Sequence, residues 1–572
     1  MKSLAITTFI FGAALAFFLT SAGADEITLP KAEPAKTAFL DQSSTTELVR
    51  FLTQSSLGFH LSDLDKVSKL GFEKWIDQQL TKNSTPLEPY IEFLSGFGIR
   101  DHDTSPRELP YHKVKSDGNT VGYLNFSTAW IRSILSSDDL LRQRVTWALS
   151  QILVVSNKTN LLTEASANYY DALSANAFNQ FEDLLLLVTY HPVMGRYLTY
   201  MGNKKPNPRK NIVPDENYAR EIMQLFSIGL WQLNDRGERI LDNKGNPIPT
   251  YSNEDIRELA RVFTGFWLDG TRFGKIVWDK YDKPLVVRKW YHDKNSKTAL
   301  NGYISIPKNM DVDEEIKYVI HKLATHPNTA PFISKRLIQN LVTSNPHPDY
   351  VQRIVAVWRA TDGNLGKVIT AILLDPAARK TNDITSISVA KLKEPIVRIV
   401  SVMKLFSCGS TLGKQPTDYP GLQWWYPYLD EELNQEPLGA KSVFNFFDAN
   451  YSKPGLISNN NLQSPEFQLI DSVTSAKFTN YLWGGLNDGF HRHPYNLKIE
   501  KFDCDFSHER VLLKDGPHTL IDYLDTMITA GKLRTKTKQT IAAHISSELS
   551  LDQKIKSAIL GVVLSPEGAI QK

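Results

Sequence analysis

The sequence predicts a mainly α protein, a large multi-helix globular domain with a small β-hairpin insertion. Three observations predict it. Apolar residues recur at three- and four-residue intervals through most of the chain. A stretch near 236–306 changes to turn residues set between β-branched and aromatic pieces. No unit of fixed period repeats, which disfavours a solenoid. With 572 residues, 42% of them hydrophobic and 22% charged, the chain has material for a large core.

The first 24 residues stand apart. Lys2 gives a positive start, LAITTFIFGAALAFFLT is one apolar run, and Ala22-Gly23-Ala24 supplies small residues before Asp25. This pattern predicts a Sec-type signal peptide over 1–24 and a periplasmic or extracellular protein. The run is short for a stable membrane span, and no later segment is long and apolar enough for one. Residues 25–43 lack apolar periodicity and read as a flexible mature N-terminus.

From residue 44 to about 570 helices dominate. STTELVRFLTQSSLG, GFEKWIDQQL, DDLLRQRVTWALSQILVV and NQFEDLLLLVTYHPVMGRYL carry the helical apolar period, with a polar loop from about 99 to 122. In the insertion, GERILDNKGNPIPTY and KIVWDKYDKPLVVRKWY read as two small hairpins flanking the helix NEDIRELARVFTGF. Ser252 is its expected N-cap, and Gly265 lies near its end. Helices return in DVDEEIKYVIHKLAT, NTAPFISKRLIQNLV, PDYVQRIVAVWRAT and NLGKVITAILLD. After Lys391-Leu392-Lys393-Glu394-Pro395 comes another helix, then an irregular aromatic region near 415–465, and further helices close the chain.

Composition narrows the chemistry. Lys and Arg number 65 against 62 Asp and Glu, so the net charge of +3 gives no sign of a nucleic-acid partner. No GxSxG, HExxH, GxxxxGK[ST] or CxxC is present, which disfavours serine-hydrolase, zincin, P-loop and thioredoxin chemistry. Cys408 and Cys504 are the only cysteines. They either pair, closing a loop of about 100 residues worth roughly 4–5 kcal/mol, or stay as two buried thiols.

The densest polar cluster opens a helix in PDENYAREIMQLFSIG. On a helical wheel Tyr218, Ile222, Leu225 and Phe226 share one side, and Glu216, Asn217, Arg220, Glu221 and Gln224 the other. Asp215 can cap the first turn. Glu216 and Arg220 are four apart, as are Asn217 and Glu221, so both pairs can touch. The bland reading is a solvated face, and the sharp one a reaction centre. Lys204, Lys205, Arg209 and Lys210 arrive on the preceding loop, either to bind an anion or to balance the acids.

NKKPNPRKNIVPDENYAREIMQLFSIGLWQLN, followed by GNPIPTYSNEDIRELARVFTGFW, resembles the bacterial domain of unknown function 1800 family. RQRVTWALSQILVVSN, WYHDKNSKTALNG, LLDPAAR, KLKEPIVR and SVFNFFDANYSKPG agree in order, from about residue 50 to 470. The resemblance implies export and an exported partner of the domain of unknown function 1501 family, and no activity. It also implies that the Glu216–Glu221 face is internal, as a functional centre or a buried network. Many relatives carry histidines in the region of WALSQILVV; this chain has none there, which argues against a metal site built on them.

Two further groups are candidates. His292 and Asp293, with Lys297 nearby, could converge on Glu216 and Glu221 and hold Zn²⁺, Mn²⁺ or Ca²⁺ for metal-assisted hydrolysis, though no specific motif indicates a cofactor. A capped turn is the competing reading. In the aromatic region, Trp424, Trp425, Tyr426, Tyr428, Phe444, Phe446, Phe447 and Tyr451 could stack on a polysaccharide or anchor a core. The sequence therefore supports three functional readings: a polymer-binding exported protein, a metal-assisted hydrolase, and a non-catalytic scaffold.

Overall fold

The computed structural model describes residues 42–87, 123–159, 163–275, 280–379, 390–409, 429–490, 503–546 and 550–572. The expected leader, nearly all of the 25–43 segment, the 99–122 loop, and Trp424, Trp425, Tyr426 and Tyr428 lie outside them. Within the described residues the protein is mainly helical, with three small antiparallel strand pairs. No described helix is long and apolar enough to cross a membrane.

The centre of the body is the helix Leu140–Ser150, in which all 11 residues are buried. It packs against the helices Gln42–Ser55, Phe72–Thr81, Thr163–Ala175 and Thr329–Leu341. Trp130 and Trp147 meet at 5.1 Å between ring centroids in this core. A helix surrounded on every side cannot send its polar residues to water, so they must be satisfied inside. Arg142 does this by donating to the carbonyls of Ser174 and Lys82, at 2.7 and 2.9 Å.

Caps set several boundaries. Ser252 accepts from the backbone N–H of Asp255, whose carboxylate accepts from Ser252 N in return, so the expected N-cap is a full capping box. Asp311 and Asn364 start other helices by accepting from a first-turn N–H, and Ser550 does so within a second capping box. Gly265 follows the Asn253–Val262 helix at φ 86°, and a Cβ there would lie 2.9 Å from the Arg288 carbonyl oxygen. Only glycine lets the two segments approach so closely.

The insertion differs in detail from the two expected hairpins. The first is a ribbon of single bridges, Trp231 to Pro249, Leu233 to Arg239 and Leu241 to Pro247. Pro247 and Pro249 have no N–H to give, so a continuous ladder cannot form. In the second, β1 (Phe266–Trp267), just past the helix, pairs with β2 (Val286–Val287). A third hairpin, absent from the sequence reading, joins β3 (Lys297–Ala299) to β4 (Ile304–Ile306). Its signal was the Asn301-Gly302 pair, with Leu300, Asn301 and Gly302 all at positive φ.

The chain end is stitched back into the body. β5 (Lys391–Leu392) pairs with β6 (Ile570–Gln571), and the Gln571 amide donates to the Leu341 and Val342 carbonyls. Of the two alternatives for the cysteines, the pair is found: Cys408 and Cys504 form a disulfide across 96 positions. Replacing both by serine should lower unfolding free energy by about 2–4 kcal/mol, because the unfolded chain regains the freedom that the closed loop removes. Denaturant melts of wild type and the Cys408→Ser/Cys504→Ser variant, with and without reductant, check this; the variant should be insensitive to reductant.

Candidate functional site

The helix Asn217–Gln224 turns its acidic side partly inward. Asp215 Oδ1 accepts from Asn217 N at 2.8 Å and so caps the first turn. Glu216 takes the Arg220 guanidinium at 3.1 Å, as the four-residue spacing suggests. The other spaced pair does not meet. Asn217 instead donates to Thr199 Oγ1 at 2.9 Å, and Glu221 is buried beside Ile222 and Met223. Glu221 Oε2 has no hydrogen-bond partner. Burial lifts its carboxyl to about 7, against a smaller opposite pull from Arg220. Tyr197 and Tyr251 feel its charge; each is pushed up to about 12, by burial first and Glu221 second.

His292, Asp293 and Lys297 form a separate, densely bonded network. His292 Nδ1 lies 3.0 Å from the Thr264 carbonyl oxygen and Nε2 lies 3.3 Å from Glu315 Oε2. The role of each ring nitrogen in these two contacts follows from the tautomer. Lys297 Nζ is 2.8 Å from Glu315 Oε1, with both side chains 1% exposed. Asp293 accepts from Arg261 Nε at 2.7 Å and from Asn295 N at 2.9 Å. Burial pushes the Asp293 carboxyl up, but the Arg261 and Asn295 hydrogen bonds and the Arg261 and Lys297 charges outweigh it and hold it low.

The anticipated convergence of these residues on Glu216 and Glu221 is therefore not what the fold makes. His292 and Asp293 spend their donors and acceptors on Thr264, Glu315 and Arg261, while Glu216 and Glu221 face Arg220 and two tyrosines. Among the described residues no three His, Cys, Asp or Glu are grouped to hold a metal ion. Of the four, Glu216, His292 and Asp293 are each matched to a local partner, and Glu221 Oε2 is not.

Nor does the basic arm balance Asp215 and Glu216. Among the described residues Lys204, Lys205, Arg209 and Lys210 form no ion pair. Lys204 lies over Phe273 and Tyr291, each at 6.0 Å, and Lys205 lies 5.4 Å from the Trp290 ring, which is 80% exposed.

A cleft of about 570 Å³ lies elsewhere, between the Thr329–Leu341 helix, the bridged ribbon and the segment 443–450. Trp231, Phe332, Phe444 and Phe447 give it aromatic walls. Phe444 is 56% exposed and lines the cleft, whereas Phe446 stacks on Trp147 in the core, so the described part of the aromatic region divides between cleft wall and core anchor. Gln224, Asn445 and Asn450 bring amide groups. Among the described residues Gln224 Nε2 and Asn450 Nδ2 donate to nothing, although Gln224 Oε1 accepts from Tyr251 at 2.9 Å. Arg239, Lys335 and Arg336 complete the lining, with Asp448 as its one carboxylate.

Sequence reasoning passed over these cations. The signal lay in NTAPFISKRLIQNLV: Phe332, Lys335, Arg336 and Asn340 fall at spacings that share one helix face. Amide and aromatic partners from two distant segments are what turn that face into a cleft.

A family model described as "Protein of unknown function (DUF1800)" matches residues 50–568. The chain belongs to this family. The match runs past residue 470, where the sequence resemblance stopped, and so takes in the disulfide and the helices that carry β6 back to β5. No curated protein and no solved structure matches the chain.

Glu221 gives a direct test of the site's electrostatics. Its carboxyl binds a proton more tightly in the folded protein than at the ordinary 4.5, so ionisation costs stability. The cost is absent below about pH 4.5, grows as pH rises to about 7, and is constant above. Glu221→Gln should therefore gain about 1–2 kcal/mol relative to wild type across that window, after discounting for screening by solvent. Stability curves of the two proteins at pH 4.5, 6 and 8 measure it; a pH-independent difference would exclude the assigned shift.

Proposed function

We propose that this family member is an exported binding protein that takes a segment of an envelope or extracellular polymer in the cleft. The observation that carries this reading is the cleft itself, about 570 Å³ with aromatic walls and amide donors free for a ligand. Ligand sites commonly have that size and that combination of apolar walls with a few placed polar groups. Flat ring faces suit the apolar face of a sugar, and amides suit its hydroxyls. The leader-like first 24 residues and the Cys408–Cys504 bond support an oxidising, extracytoplasmic setting. The family resemblance supplies the co-encoded exported protein of the 1501 family as a working partner.

Affinity electrophoresis against a panel of soluble polysaccharides tests the reading. At least one should retard the wild type, and Trp231→Ala or Phe444→Ala should weaken retention by about tenfold or more while the melting temperature holds. Retention that is unchanged in both variants would exclude the cleft.

A second reading is favoured by one observation, the buried and unpartnered Oε2 of Glu221 with its carboxyl lifted to about 7. A carboxyl of that kind can pass a proton near neutral pH, in hydrolysis that uses no metal ligand set. On this reading Glu221→Gln keeps its fold and loses about a hundredfold or more in kcat for release of reducing ends from a retained polymer. On the scaffold reading no turnover exists to lose, and the variant changes stability alone.

A further inference from the structure

The cleft carries more positive charge than its own residues answer. Arg239 lies 5.7 Å from the Trp231 ring and Arg336 5.2 Å from the Phe332 ring, which places both guanidinium groups along the aromatic walls. Lys335 stands between them in effect, since the charges of Arg336 and Arg239 both act on it. Its ammonium donates to the Gly237 carbonyl at 3.3 Å, and among the described residues none of the three forms an ion pair. The acids nearby offset only part of this charge, Asp448 acting on Arg336 and Glu238 on Lys335, and each also has another partner. Asp448 accepts from Asn450 N at 2.8 Å, and Glu238 pairs with Arg236 at 3.4 Å.

Like charges gathered in one cleft repel each other, most strongly where water is partly excluded, as at the half-buried Lys335 and Arg336; Arg239 stands exposed beside them. Burial first, and the two neighbouring arginines after it, push the Lys335 ammonium down; burial brings Arg336 down to about 10, with Asp448 offsetting only part. An anionic group seated among them would relieve this, and a guanidinium offers the planar fork that matches a carboxylate or a sulfate ester.

We infer that the polymer taken by the cleft is an acidic one, a segment whose sugar rings lie on Trp231 and Phe444 while its anionic substituent is held by Arg239, Lys335 and Arg336. This rests on the polymer-binding reading above and specifies the ligand class for the same cleft. It also separates the roles of the walls: the rings supply affinity for any sugar, and the cations supply selection by charge.

Calorimetric titration with three trimers of one sugar tests the inference: trigalacturonate, the same trimer with its carboxyls reduced to alcohols, and a sulfated form of the reduced trimer. Trigalacturonate or the sulfated trimer should bind the wild type about tenfold or more tighter than the reduced trimer at low salt, with the gap closing as salt rises. Preference for one anionic trimer over the other assigns the substituent as carboxylate or sulfate ester. In Lys335→Met and Arg239→Gln the preference should fall towards one, while the reduced trimer binds as before and the melting temperature holds. Equal binding of all three trimers would overturn the acidic assignment and leave the polymer reading standing. A charge preference that survives both substitutions would overturn the residues assigned to it. Failure of all three trimers, with polysaccharide retention also absent, would overturn both.

Discussion

The Glu394 carboxylate is the constraint on which the rest of the structure depends. It is buried, at the start of the Pro395–Leu405 helix, and takes three donors from two other parts of the chain. Trp147 Nε1 lies 3.1 Å away and Gln151 Nε2 2.7 Å, both from the central helix and its end, and Gln435 Nε2 lies 2.6 Å away. A carboxylate out of water must be met by donors or it would lose its charge, so these side chains are fixed in place by the cost of leaving it unmet. The consequence reaches the cleft. Gln151 holds Glu394 with its amide N–H and accepts from Asn445 with its oxygen at 3.3 Å, which ties the segment 443–450 to the core. Trp147 and Gln151 of WALSQILVV thus contribute hydrogen-bond donors to a buried acid.

Buried charge appears in three conditions in this protein, and the difference organises its chemistry. In the first, charge is matched internally: Lys391 pairs with Glu466 at 3.0 Å and donates to the carbonyls of Gln339 and Asn340, and Lys297 pairs with Glu315 beneath His292. Such networks hold segments in one arrangement and have little left to offer a ligand. In the second, a single acid is left without a partner, as at Glu221. In the third, cations outnumber the acids in an open concavity, as at Arg239, Lys335 and Arg336 against Asp448. Only the last two leave unmet electrostatic demand, and both lie on elements that reach the cleft, since Gln224 of the Glu221 helix lines it.

The periodicity of the chain made the helical class legible, and cap residues such as Ser252 marked boundaries correctly because both signals are local. The inward turn of Glu221 was visible only through the family resemblance. A wheel places it among polar neighbours, whereas in the fold it is buried, with its charge acting on Tyr197 and Tyr251, 24 positions before it and 30 after it. The separation of His292 from the acidic helix had no sequence signal at all. Its partner Glu315 sits 23 positions onward on another helix, and Asp293 is taken by Arg261, 32 positions before it.

By itself the sequence determined a mainly helical body, the place of the β insertion, and membership of a family whose motif gathers polar residues after Pro214. Those properties follow from spacing along the chain, because helical periodicity and turn chemistry act over a few residues. Tertiary structure alone decided whether the two cysteines joined, which acids were satisfied and which cations were left facing a cleft. Those outcomes depend on segments from 23 positions apart, as with His292 and Glu315, to 98 apart, as with Lys335 and Gly237, and only packing of the core brings such segments within hydrogen-bonding or bonding distance.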